Sequence, residues 1–67
     1  MNYQKIGENL KKARQRTELT QVEVPQKADI HSNYYARIER GEEKPTLETL
    51  EKIFKILKVK SPDIFPF

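Results

Sequence analysis

The stretch TQVEVPQKADIHSNYYARIERG, from Thr20 to Gly41, narrows the possible folds of this chain more than any other. Thr20 is a good helix N-cap, and Val24 and Ala28 follow at a spacing that puts both on one helical face. Tyr35 and Ile38 make a second such face, and Gly41 is suited to close a helix in the left-handed conformation. Two short helices satisfy this pattern, one from Thr20 to about Lys27 and one over about 31–40, joined by a tight turn. Two residues work against it. Pro25 cannot donate to the carbonyl of Gln21, crowds that carbonyl, and biases Val24 away from helix; in a helix interior this costs roughly 3 kcal/mol. Asp29 falls at the left-handed turn position, which glycine tolerates better. Near a helix start only one backbone bond is lost, so the unit is expected to survive with reduced stability. Pro25→Ala and Asp29→Gly should each raise it.

Helical spacing continues on both sides of this stretch. Ile6, Leu10 and Ala13 form one stripe and predict a helix over about 3–16, with Leu19 packing just ahead of Thr20. Pro45-Thr46 restarts the chain as a breaker followed by an N-cap. The helix after it carries Leu47, Leu50, Ile53, Phe54 and Leu57 along one side. Ser61-Pro62 reads as a cap with proline at the first helical position, opening a last turn through Phe65. No strand pattern, repeat or low-complexity segment interrupts this order. The expected architecture is all-α: four helices plus a short C-terminal fifth, in one domain over residues 1–67 with room for one modest core.

Composition removes several function classes. Without cysteine there is no disulfide framework, thiolate metal site or thiol nucleophile. No nucleophile is paired with a base, and neither a His-x-x-x-His spacing nor a glycine-rich phosphate loop occurs. No enzymatic activity, cofactor, metal or small-molecule ligand is therefore expected. MNYQKIGENL is too polar for a signal peptide, and no apolar run approaches transmembrane length, so a cytoplasmic chain without membrane association is the expectation. The net charge of +3 is unevenly spread: residues 1–16 hold five cations against one acid, residues 17–44 four against six, and residues 45–67 four against three. This balance permits nucleic-acid binding without requiring it.

The order of elements, together with Leu19-Thr20-Gln21, Ile38-Glu39-Arg40-Gly41 and Pro45-Thr46-Leu47-Glu48-Thr49-Leu50, resembles the phage-repressor, Cro-like (XRE) helix-turn-helix family. The resemblance runs from Ile6-Gly7 to Phe65. It departs from the family at Pro25, where members usually carry a small residue, and at Asp29, where they carry glycine. It implies a lambda-repressor-like DNA-binding domain whose helix-turn-helix unit covers about residues 20–40, with the third helix in the major groove. The base contacts it implies are Ser32, Asn33 and Arg37, with Gln21 on an outer base or a phosphate. Asparagine suits adenine and arginine suits guanine, and Ala36 is small enough for close approach. Thr20, His31, Tyr34, Arg40, Lys44 and Thr46 are the implied phosphate contacts. Arg14 and Glu39 are implied to form a partly buried ion pair between the first helix and the end of the third.

Plainer accounts exist for several of these residues. Ser32 serves equally as a helix cap, Gln21 as a first-turn residue, Asn33 as decoration of a helix start, and Arg37 as a solvated arginine. Of Tyr34 and Tyr35, adjacent on a helix, one must face the core, and the spacing assigns that role to Tyr35. Lys52, Lys55, Lys58 and Lys60 read as a solvated face. The functional expectation is a sequence-specific regulator of transcription, a repressor, bound to double-stranded DNA at an inverted repeat as a homodimer. Its dimer patch is expected at the chain end, on Ile64, Phe65 and Phe67; the plainer account is that Ile64 and Phe65 close the core and the tail folds back onto it. The competing expectation is an interaction module of antitoxin-like character that docks a partner protein through the apolar DIFPF tail.

Overall fold

Local capping chemistry sets where each helix begins and ends. In the computed structural model, which describes residues 2–66, α1 spans Tyr3–Arg16 and starts at Asn2, whose side chain accepts from the Lys5 backbone N–H at 3.0 Å. Its buried face carries Ile6, Gly7, Leu10 and Ala13. The chain then turns through Glu18, which has φ +62.

Helix α2, Glu23–Ala28, begins later than the Thr20 cap suggests. The Thr20 hydroxyl accepts from the Glu23 N–H at 3.1 Å and the Glu23 carboxylate accepts from the Thr20 N–H at 2.8 Å, a reciprocal capping box. Between them, residues 21 and 22 form a turn. Val24 N–H reaches the Thr20 carbonyl and Gln26 N–H the Val22 carbonyl, each at 3.3 Å, and Pro25 interrupts this ladder. The late start absorbs the proline. Its ring is fully buried, so it also fills core volume.

Asp29 adopts φ 57 and ψ 47, and the bonds Ile30 N–H to Pro25 O at 3.0 Å and Asp29 N–H to Gln26 O at 3.3 Å complete a Schellman motif around it. Helix α3, Ser32–Glu39, is capped by His31, whose Nδ1 accepts from the Asn33 N–H at 3.1 Å; the capping role considered for Ser32 belongs to its neighbour. The α3 terminus repeats the Schellman motif at Gly41, φ +78, with Glu42 N–H bonded to Arg37 O at 2.9 Å. Thr46 caps α4, Leu47–Leu57, by accepting from the Thr49 N–H at 3.1 Å. Lys58, at φ 58, closes that helix. Helix α5, Ser61–Ile64, is capped at Lys60 rather than Ser61, with Pro62 in its first turn and Asp63 accepting from the Lys60 N–H at 2.9 Å.

Helix α3 packs against α1 and α2, α2 against α4, and α5 against α1. The shared core holds Ile6, Leu10, Ala13, Val24, Tyr35, Ile38, Leu50, Ile53, Phe54, Leu57 and Ile64. Where α1 crosses the end of α3 the backbones nearly touch: a methyl group on Gly7 would lie 2.5 Å from the Ile38 carbonyl oxygen and closer still to that of Glu39.

Expectations about the core and the tail change as well. Leu47 is 64% exposed: it shares the face of Leu50 and Phe54 but stands at the first position of α4, beyond the packed core. Ile64 cannot belong to a dimer patch, because it is 0% exposed and closes the core from α5. That turn is anchored further by the Asn9 amide, which donates to the Ile64 carbonyl at 2.7 Å. Phe65 is half-buried, edge-on to Phe54 at 6.0 Å between ring centroids, and Phe67 lies outside the described residues. The tail thus commits much of its apolar surface to its own core, and a partner-docking role loses its main anchor.

The left-handed position at Asp29 should respond to substitution as a local strain. Asp29→Gly is expected to raise the melting temperature by a few degrees, since the strain relieved is about 1–2 kcal/mol and the added chain entropy offsets part of it. Pro25→Ala, expected from the sequence to raise stability too, regains a backbone bond of about 1 kcal/mol but, because the ring is buried, loses two carbons at about 0.8 kcal/mol each, so stability stays nearly unchanged. Thermal melts of both variants check this pair of outcomes.

Candidate nucleic-acid interface

Helix α3 is buried on one side only. Tyr35, Ile38 and Glu39 face inward, while Ser32, Asn33 and Arg40 are exposed and Tyr34, Ala36 and Arg37 lie at the boundary. The outward set is the one that the family resemblance implies for DNA, and it occupies one continuous helical face. Thr20, Gln21, His31, Lys44 and Thr46 are exposed as well. His31 and Thr46 cap α3 and α4 with their side chains, and the Thr20 hydroxyl accepts from the Glu23 N–H at the entrance to α2, so each stands at a helix start.

What holds α3 in place is a buried polar cluster. Arg14 Nε donates to Glu39 Oε2 at 2.7 Å and its Nη2 to Glu39 Oε1 at 3.2 Å, a two-pronged pair with side chains 12% and 2% exposed. Arg14 Nη1 also donates to the Leu19 carbonyl at 3.1 Å, tying in the loop that leads to α2. Gln21 Nε2 donates to Glu39 Oε1 at 3.1 Å, which turns a residue expected at DNA toward the cluster and leaves its amide oxygen uncommitted by that bond. The hydrogen bond to Glu39 raises the Arg14 pKa, burial opposing it. The Tyr35 hydroxyl is buried beside the pair and makes no hydrogen bond of good geometry among the described residues. Burial first, then the Glu39 carboxylate, push its pKa upward, so it stays neutral.

Both arginines of the α3 surface are paired. Arg37 Nε donates to Glu43 Oε2 at 2.8 Å, and Arg40 donates to Glu42 through Nε at 3.1 Å and Nη2 at 3.2 Å. Sequence reasoning missed these acid partners and the Gln21–Glu39 bond. Glu43 stands six residues after Arg37, beyond the left-handed Gly41, and no helical spacing reports such a pair. A surface groove of about 510 Å³ lies elsewhere, between the ends of α1, α2 and α4, and none of the predicted DNA contacts lines it. Among the described residues no cluster of His, Cys, Asp and Glu is arranged to hold a metal, and no helix is long and apolar enough to cross a membrane.

Two short helices set at a capped left-handed turn, the second exposing one polar face, define a helix-turn-helix domain. A family model described as helix-turn-helix matches residues 10–65, and the chain belongs to that family, in its XRE-type branch of DNA-binding regulators. It is 40% identical over 48 residues to the immunity repressor protein of Bacillus phage phi105, a match covering 72% of this chain and 33% of the repressor. The chain thus spans about a third of that relative's length. Among solved structures, the restriction-modification controller protein C.AhdI from Aeromonas hydrophila superposes with a TM-score of 0.89 at 22% identity, over 94% of this chain and 96% of that one. A point mutant of the restriction-modification controller protein C.Esp1396I gives a TM-score of 0.86 at 28% identity, over 97% of this chain and 82% of the other.

Two outcomes follow from the cluster and the capping box. Arg14→Met strands a buried carboxylate and should cost about 3–5 kcal/mol in urea unfolding; adding Glu39→Leu should recover a large part of it. The Glu23 carboxyl is held below its ordinary pKa, chiefly by the backbone hydrogen bond from Thr20. A depressed carboxyl pKa contributes stability that is complete above the unfolded value of about 4.3 and is lost as pH falls through the folded value. The melting-temperature gap between wild type and Glu23→Ala should therefore be widest near neutrality and shrink below about pH 4.

Proposed function

We propose that this chain is a sequence-specific regulator of transcription, a repressor, that binds double-stranded DNA in the cytoplasm with α3 in the major groove. The observation that carries this reading is the one-sided burial of α3: its inner face is locked by Tyr35, Ile38 and Glu39 while Ser32, Asn33, Ala36 and Arg37 form an outer edge. Asn33 supplies the donor–acceptor pair that fits adenine, and Arg37 the parallel donors that fit guanine. Gln21 extends the contact toward an outer base or phosphate, and Thr20, His31, Tyr34, Arg40, Lys44 and Thr46 lie on the surface flanking it as phosphate contacts. Similarity to a phage immunity repressor supports the repressing direction.

One helix-turn-helix covers too few base pairs for strong discrimination, so two copies act together on an inverted repeat with half-site centres about 34 Å apart. The tail contributes at most Phe65 and the residues after it to such a pairing, since Ile64 is a core residue.

Enrichment from a random duplex pool at moderate salt tests the reading. The expected product is an inverted repeat bound by two chains in sedimentation. On that duplex Asn33→Ala and Arg37→Ala should each lose about 1–3 kcal/mol of specific affinity and relax one base position. Wild-type binding by both folded variants would rule out α3 as the reader, and a one-to-one complex on the repeat would rule out the dimer.

A further inference from the structure

The outer face of α3 is followed by two acidic residues, Glu42 and Glu43, in the segment leading to α4. Acids beside a surface that meets phosphates weaken the attraction that drives non-specific binding. Their geometry differs in a way that matters for base reading. Glu42 meets Arg40 on both Nε and Nη2, at 3.1 and 3.2 Å, and both side chains are 54% exposed. Glu43 instead takes the Nε–H of Arg37 at 2.8 Å, with side chains 44% and 33% exposed.

We infer that Glu43 is a positioning residue for DNA reading: it grips Arg37 by Nε and presents the terminal nitrogen pair of its guanidinium to a guanine edge. The inference rests on the proposal that α3 is the reader. A guanidinium is planar with five N–H donors, and the bond to Glu43 uses the one on Nε. The two terminal nitrogens keep parallel donors suited to guanine O6 and N7. A flexible arginine loses rotamer freedom when it docks on a base; one already held by a carboxylate has less to lose. The same carboxylate cancels the arginine charge, so Arg37 gains little from an arbitrary phosphate and discriminates through the base edge.

The test measures binding of wild type, Arg37→Ala, Glu43→Gln and Glu42→Gln to the selected duplex, its single-base variants and a random duplex, across a salt series. Thermal melts verify that each variant is folded. Both glutamine variants remove one negative charge and should bind the random duplex more tightly, with a log–log salt slope steeper by about one. Only Glu43→Gln should also lose preference at the base pair that Arg37→Ala relaxes, by about tenfold. Full preference in Glu43→Gln would overturn the inference while leaving α3 as the reader. Equal loss of preference in Glu42→Gln would overturn it too, by reducing the effect to bulk charge. If wild type enriches no sequence at all, the reading of α3 and the role of Glu43 fall together.

Discussion

The two-pronged bond between Arg14 and Glu39 is the interaction on which the rest of the structure depends. A carboxylate 2% exposed is tolerated only with a charged partner and its oxygens hydrogen-bonded, and Glu39 receives Arg14 on both oxygens and Gln21 on one. Through those bonds α1, the loop at Leu19, the entrance to α2 and the last turn of α3 meet at one place. The geometry leaves little slack, because the α1 backbone at Gly7 approaches the Ile38 and Glu39 carbonyls more closely than any side chain would permit. The angle at which α3 presents its outer face is therefore set by a buried ion pair and a glycine contact, neither of which involves the outer-face residues Ser32, Asn33 and Arg37.

This separation between scaffold and reader explains how the chain tolerates two residues unfavourable to its central turn. Pro25 removes one bond near the start of α2, and a capping box between Thr20 and Glu23 starts the helix late enough to leave the proline in its first turn. Asp29 occupies a strained backbone position, but the Schellman bonds around it are intact. The cost falls on local stability and leaves the orientation of α3 to the cluster. The exposed face, in turn, carries arginines already satisfied by Glu42 and Glu43, so the surface is less basic than its residue types suggest.

Much of this was legible in the sequence, and the exceptions share a cause. Helical spacing identified α1, the inward faces of α2 and α3, and most of α4, because those stripes report burial directly. Gly41 announced its left-handed turn, whereas Glu18 and Lys58 adopt the same conformation without a residue type that signals it. Periodicity overextended the α4 stripe to Leu47, since a spacing argument cannot tell where the neighbouring helix ends. For Ile64 the sequence left two places open, the core and a dimer patch, and its burial follows from α5 folding back onto α1, a long-range contact that spacing does not report. The bonds of Gln21 to Glu39 and of Arg37 to Glu43 were invisible for the same reason, as they join residues across turns rather than along a helix. The pair of Arg14 and Glu39 came into view only through resemblance to a family.

On the proposed function, the outer face of α3, held by the buried cluster, is the surface that meets DNA. Titrating isotope-labelled protein with the selected duplex and following backbone amide resonances tests it residue by residue. The largest shifts are expected at residues 20–22, 31–37 and 42–46, with small changes along the groove at Lys27, Lys55 and Lys58. Shifts concentrated in that groove or in α5, with α3 unaffected, would contradict it.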